Sequence, residues 1–174
     1  MVQEYGRYFS MPTCCLRAGC LTGANQAGVC LHGFLNYLVR CVLSESDYTI
    51  FGYRGKQVRD MIHADDVCTL IRAFYHVPRC GEVYNIGGGK ENTLSVLEAL
   101  DAVSHISDKR VRLRYEDTPR KGDHQCYISN LTKIKAHYPE WEITLPIARI
   151  VEDLVRDLQQ VQSSQSQQML SIDA

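Results

Sequence analysis

Two arginine–aspartate pairs, Arg59-Asp60 and Arg120-Lys-Gly-Asp123, are the residues best suited to bind something. A guanidinium presents a planar fork of donors that matches the paired anionic oxygens of a diphosphate. A carboxylate close by suits ribose or sugar hydroxyls. Gly122, inside the second pair, lets the backbone come close to a ligand. Alone, each pair is what a solvated loop charge looks like. Their value lies in occurring together.

Other patterns carry less chemistry. Gly87-Gly88-Gly89-Lys90 follows an apolar run and invites a phosphate-loop reading. It lacks the third glycine of G-x-G-x-x-G, the chain holds no G-x-x-x-x-G-K-[ST], and the next helix opens only at Ser95. The three glycines therefore read as a strand-end turn. His63 with Asp65 and Asp66 reads as a helix start rather than a metal site, since acid suits the first turn and no further ligand pair presents itself. There is no G-x-S-x-G, and no cysteine sits beside an evident histidine base. None of the ten tyrosines has a lysine four residues later. Such a pair would put phenol and ammonium on one helical face, where the cation lowers the phenol pKa for proton transfer. No catalytic residue is expected on this ground.

The elements that must position these residues can be read from periodicity. A short helix covers Val2 to Phe9, and an apolar strand runs from Thr13 to Cys20 into a turn at Thr22-Gly23-Ala24-Asn25. Leu31, Phe34, Leu35, Leu38, Val39 and Val42 repeat at helical spacing. Strands at Tyr48–Phe51 and Gln57–Ile62 flank the Gly52-Tyr-Arg-Gly55 turn, and a helix follows from Asp65 with Val67, Leu70, Ile71 and Phe74 on one face. Glu82 to Ile86 is a strand, and Ser95-Val-Leu-Glu98 is a capping box for a helix to about Ile106. Val111, Leu113 and Tyr115 alternate as a strand, and a short helix is expected from Asn130. A last helix with Pro146 in its first turn stacks Ile147, Ile150, Val151, Leu154, Val155 and Leu158 on one side. Its Gln/Ser-rich sequel from Gln159 is expected to be disordered. Strand and helix alternate, so the class is α/β with mainly parallel pairing. The element count covers only part of a complete dinucleotide-binding fold.

The 174 residues, 45% hydrophobic and 22% charged with a formal net charge of −1, fit a globular domain and leave no basic footprint for nucleic acid or an acidic membrane. No apolar run approaches the roughly 18 to 20 residues of a membrane-spanning helix. The eight cysteines are scattered without a C-x-x-C, so they are expected as buried reduced thiols of a cytoplasmic protein.

The order of segments carries a resemblance. Leu16-Arg17 leading to Leu21-Thr22-Gly23, Tyr48-Thr-Ile-Phe-Gly52, Gln57-Val-Arg59-Asp60, Ile62-His63 with Asp66-Val67, Val83-Tyr-Asn-Ile-Gly87-Gly88, and Arg120-Lys-Gly122-Asp123 followed by Trp141 resemble the extended short-chain dehydrogenase/reductases that act on nucleotide sugars. Within that group the chain is most similar to the CDP-paratose 2-epimerases, also called CDP-tyvelose epimerases. PTCCLRAGCLTGANQAG, FGYRGKQVRD, GEVYNIGGGKENTLSVLEA and GDHQCYISNLTKIKAHYPEW carry that narrower match.

The resemblance implies the C-terminal part of a Rossmann-type NAD(P)-binding fold: the end of the parallel sheet plus a small substrate-binding domain. It places a remnant of the Rossmann half at residues 1–45, the substrate-binding part at 46–158 and the tail at 159–174. Arg59 and Arg120 resemble the two arginines that clamp the substrate diphosphate, and Asp123 a carboxylate near the ribose hydroxyls. Thr49 and Phe51 fall where the base is held. Cys20 falls beside the nicotinamide, where the wider family often has Asn and the CDP-paratose 2-epimerases share the Cys. The family enzymes use NAD, are homo-oligomers, and epimerise by removing and returning a hydride. The glycine fingerprint and Tyr/Lys pair would precede residue 1, so a sugar-nucleotide-binding portion without activity of its own is expected. A free-standing nucleotide-sugar-binding module or pseudoenzyme, or part of a UDP- or dTDP-sugar 4-epimerase or 4,6-dehydratase, are the alternatives.

Overall fold

A computed structural model of the chain describes residues 1–23, 26, 28–30 and 33–172, with side chains through residue 164. Helix α1 (Val2–Phe9) leads to strand β1 (Thr13–Ala18) and, past Gly19, to β2 (Cys20–Thr22). Helix α2 (Phe34–Leu43), β3 (Tyr48–Phe51), a 3₁₀ turn (Tyr53–Gly55), β4 (Val58–His63) and α3 (Ala64–His76) follow. Then come β5 (Cys80–Ile86), β6 (Thr93–Ser95), α4 (Val96–Ser107), β7 (Leu113–Glu116), β8 (Cys126–Tyr127), α5 (Thr132–His137) and α6 (Ile147–Ile172). Three strand pairs, β1 with β5, β3 with β7 and β4 with β8, are parallel, as the alternation of strand and helix implies.

The chain divides into two compact units, neither contiguous. One gathers Met1–Leu21, Val58–Leu94 and Cys126–Ile147, the other Thr22–Gln57, Ser95–Gln125 and Ala148–Ala174.

In the first unit, Leu16 and Ala18 of β1 lie opposite Tyr84 and Ile86 of β5. Ile62, Val67, Leu70, Tyr84, Ile86 and Ile134 are the centre of a core closed by Tyr138 and Trp141. A buried carboxylate braces it. Asp66 lies in the first turn of α3, and its Oδ1 accepts from the N–H (3.0 Å) and hydroxyl (2.7 Å) of Thr144, while its Oδ2 accepts from Leu145 N–H at 3.3 Å. Trp141 Nε1 donates to the Asp66 carbonyl at 3.0 Å. His63 caps the same helix, its Nδ1 accepting from Asp65 N–H at 3.2 Å.

In the second unit, α2 packs against α4, burying Leu35, Leu38, Val39 and Val42 on one helix and Val96, Ala99, Leu100 and Val103 on the other. Leu31, whose spacing suggests the first turn of α2, lies outside the described residues. The Ser95–Glu98 capping box forms as its sequence implies, with Glu98 N–H to Ser95 Oγ at 3.2 Å and Ser95 N–H to Glu98 Oε2 at 2.7 Å. Helix α6 buries Ile150, Val151, Leu154, Val155 and Leu158 on its expected side.

Two expectations are corrected. The Gln/Ser-rich stretch continues α6 to Ile172. Low hydrophobicity argues against burial, but a packed helix extends cheaply through good helix formers such as Gln. The hydroxyls of Ser163 and Ser164 bond back to the carbonyls of Gln159 and Gln160 at 2.9 Å. The cysteines are all free thiols, yet only Cys41 is buried, and Cys30, Cys68, Cys80 and Cys126 are exposed. Sequence neighbours that are apolar do not ensure burial when the element shows only one face to the core.

Candidate functional site

The expected binding residues fall in both units, and each group is coherent by itself. In the second unit, strand β3 alternates: Tyr48 and Ile50 are buried while Thr49 and Phe51 are half-buried on the other face. Arg120 lies over that face, its guanidinium carbon 5.8 Å from the centre of the Phe51 ring. Asp123 turns back on Arg120 in one tight turn, Asp123 N–H donating to the Arg120 carbonyl at 3.0 Å. Arg120 Nη2 lies 3.5 Å from Asp123 Oδ2, with the carboxylate side chain only 7% exposed and the guanidinium side chain 29% exposed. Gly122, between them, has φ 78°, and a side chain there would meet open space. Thr49, Phe51, Arg120 and Asp123 therefore form an apolar-floored platform with a partly exposed cation and a carboxylate, as a base, a diphosphate and a ribose would require. Sequence reasoning missed Gln57, which is buried and whose Nε2 donates to the Phe51 carbonyl at 3.1 Å, fixing the end of β3.

In the first unit, Arg59 lies on β4 opposite Tyr127 of β8, and its Nη1 donates to the Val58 carbonyl at 2.8 Å. Cys20 lies near it on β2. Burial pushes the Cys20 thiol upward, the Arg59 cation pulls it down and Asp60 raises it again, with the net shift upward. Cys20 is thus a protonated thiol at neutral pH, suited to packing and weak hydrogen bonding rather than to nucleophilic attack.

Asp60 faces inward from Arg59 and is fully buried. Its Oδ2 accepts from the N–H groups of Gly89 and Ser129, both at 3.0 Å. A Cβ at Gly87 would overlap both that oxygen and Ser129 Oγ. The three-glycine turn is thereby accounted for: it wraps a buried carboxylate. It does not fit the diphosphate of a dinucleotide, because the Gly89 N–H is already engaged and the next helix starts only at Val96, past its cap Ser95. An open cleft of about 590 Å³ on this turn, bordered by Lys90, Asn130 and Lys135, includes none of the six expected binding residues.

Comparison with known proteins decides the family. The model of the NAD dependent epimerase/dehydratase family matches residues 1–87, half of the chain. The chain belongs to this family. Its sequence is similar to CDP-paratose 2-epimerase of Salmonella typhi, 28% identical over 139 residues that cover 75% of the chain and 40% of that enzyme. It is also similar to dTDP-glucose 4,6-dehydratase of an Actinoplanes species, 32% identical over 114 residues, 63% of the chain and 34% of the dehydratase. Among solved structures, UDP-glucuronic acid 4-epimerase from Bacillus cereus, in complex with UDP-glucuronic acid and NAD, superimposes with a TM-score of 0.77 at 25% identity. That match covers 92% of the chain and 49% of the epimerase. UDP-glucose 4-epimerase from Thermotoga maritima gives a TM-score of 0.76 at 24% identity over 91% of the chain and 51% of that structure, a likeness of fold. The fold is the α/β Rossmann-type fold of extended short-chain dehydrogenase/reductases. The chain spans 40% of the Salmonella enzyme and about half of the solved epimerases.

Proposed function

We propose that this chain is the sugar-nucleotide-binding portion of an NAD-dependent nucleotide-sugar epimerase of the CDP-paratose 2-epimerase type. The observation that carries the reading is the platform of Phe51, Arg120 and Asp123, in a chain of the epimerase/dehydratase family. Arg120 and Arg59 hold the diphosphate, Asp123 the ribose hydroxyls, Thr49 and Phe51 the base, and Cys20 lies against the nicotinamide. NAD bound in such an enzyme accepts and returns the hydride. The residues described here bind and orient, and no proton-transfer step is assigned to them. A CDP-sugar is favoured because the similarity to the CDP-paratose enzyme extends over 75% of the chain.

A second reading, a UDP- or dTDP-sugar 4-epimerase or 4,6-dehydratase, is supported by the higher identity over a shorter span with the dTDP-glucose dehydratases. Calorimetric titration of the chain with CDP-glucose, UDP-glucose and dTDP-glucose tests both. Tightest binding of CDP-glucose supports the first reading, a preference for either of the others supports the second, and no binding of any refutes nucleotide-sugar recognition by this chain.

A further inference from the structure

Arg120 sits in a loop, and its place over Phe51 is set by what ties that loop to β3. The parallel pair of β3 and β7 ends where Phe51 lies opposite Glu116. One further bond runs from Gly52 N–H to the Glu116 carbonyl at 2.7 Å. Beyond it β3 enters the turn at Gly52–Gly55, and β7 enters the loop that carries Arg120. Two contacts stitch these exits together. Tyr115 Oη accepts a hydrogen bond from Arg54 N–H at 3.1 Å, across 61 positions of sequence. Pro119, the residue before Arg120, packs on Gly52 so closely that a Cβ there would come within 2.8 Å of its Cα and Cβ.

The turn is held against its own preference. Gly52, Tyr53, Arg54 and Gly55 have φ of 61°, 49°, 53° and 73°. Left-handed backbone is unfavourable wherever a Cβ is present, as at Tyr53 and Arg54. Such strain persists only where the surroundings over-determine it, and it gathers at ligand clamps. Gly55 N–H reaches the Gly52 carbonyl at 3.4 Å and Lys56 N–H the Tyr53 carbonyl at 3.0 Å, both within the turn region. The Arg54 N–H instead finds its acceptor on Tyr115. The Tyr115 side chain therefore closes the strained turn onto the strand that leads to Arg120. It is half-exposed, so its hydroxyl adds little to the core.

We propose that Tyr115 is a positioning residue for the diphosphate site. Its hydroxyl fixes the Gly52–Gly55 turn against which Pro119 packs, and so holds the Arg120 guanidinium over Phe51. The proposal rests on the nucleotide-sugar reading above, and the test separates the two. CDP is titrated by calorimetry into the full chain as wild type, Tyr115→Phe, Arg120→Ala and the double variant, and the melting temperature of each is recorded.

Tyr115→Phe keeps the ring and removes only the acceptor. It is expected to weaken CDP binding roughly fivefold while the melting temperature stays within about 2 °C of wild type. In the Arg120→Ala background the same substitution should change CDP affinity by less than about twofold, because a residue acting through Arg120 has nothing left to position. Should the double variant bind too weakly to measure, Arg120→Lys serves as the background, and a smaller loss than in wild type is expected. An equal loss in both backgrounds means that Tyr115 acts on the fold and not through Arg120, and it overturns the proposal. So does CDP binding by Tyr115→Phe within twofold of wild type while Arg120→Ala binds weakly, and in that case the diphosphate site stands. If wild type does not bind CDP, or Arg120→Ala binds it as well as wild type, the assignment of Arg120 to a diphosphate falls and the role of Tyr115 falls with it.

Discussion

Replacing Arg120 by alanine tests the proposed diphosphate contact directly. In the free protein the guanidinium lies over the Phe51 ring at 5.8 Å and 3.5 Å from Asp123 Oδ2. At 29% exposure, and with a carboxylate contact this long, little of its charge is committed to holding the fold. The stacking contact adds roughly 0.5–1 kcal/mol, so stability should fall by about 1 kcal/mol at most. Binding should fall further. A charge-assisted hydrogen bond is worth roughly 1.5–3 kcal/mol, and breaking a desolvated charge pair on the ligand costs on the order of 2–4 kcal/mol. That range corresponds to roughly a 30- to 900-fold weaker dissociation constant for CDP-glucose. Arg120→Lys keeps the charge but loses the fork and the stacking plane, so an intermediate loss of about tenfold is expected. Isothermal calorimetry measures affinity, and urea denaturation of the same samples reports stability. If both variants bind within twofold of wild type, Arg120 is a solvated loop charge and the platform is not a diphosphate site.

Other consequences follow from the same geometry. Gly87→Ala drives a methyl group into Asp60 and Ser129, so it should destabilise the chain by about 2 kcal/mol or more; a urea midpoint unchanged from wild type would refute the cradle. The Glu98 carboxyl is held below its ordinary value, first by the Ser95 backbone N–H and then by the Ser95 side chain, against slight burial. Its contribution to α4 is therefore complete above about pH 4.5 and lost as pH falls through the lowered folded value. Glu98→Gln should flatten the melting temperature between pH 5 and pH 3 relative to wild type, to a degree readable by circular dichroism; parallel curves for the two proteins would contradict it. Cys20, half-buried and with its thiol pushed upward, should react with iodoacetamide several-fold more slowly at neutral pH than exposed Cys68 and Cys80. Peptide mass spectrometry that finds Cys20 labelled first would overturn that assignment.

The local features of this protein were legible in its residues. Helical spacing marked the buried stripe of α6, Ser95 and Glu98 marked the start of α4, and the order of short motifs marked the family. Each depends on interactions within a few residues along the chain, where the pattern of side chains is itself the physical cause.

Tertiary structure decided the rest, because it joins residues that no local pattern connects. Asp66 was readable as a helix-start acid, but its bonds to Thr144 span 78 positions and make it the brace of a core. Arg59 and Asp60 are adjacent, yet β pleating turns one carboxylate wholly inward while its neighbour stays half-exposed. Only the paths of β4, the Gly87–Gly89 turn and the segment at Ser129 bring two N–H groups to one oxygen of Asp60 and leave Gly19 facing the other. A glycine run alone is equally compatible with a phosphate loop and a carboxylate cradle, since both exploit the missing Cβ; which one forms is set by what the fold places against it.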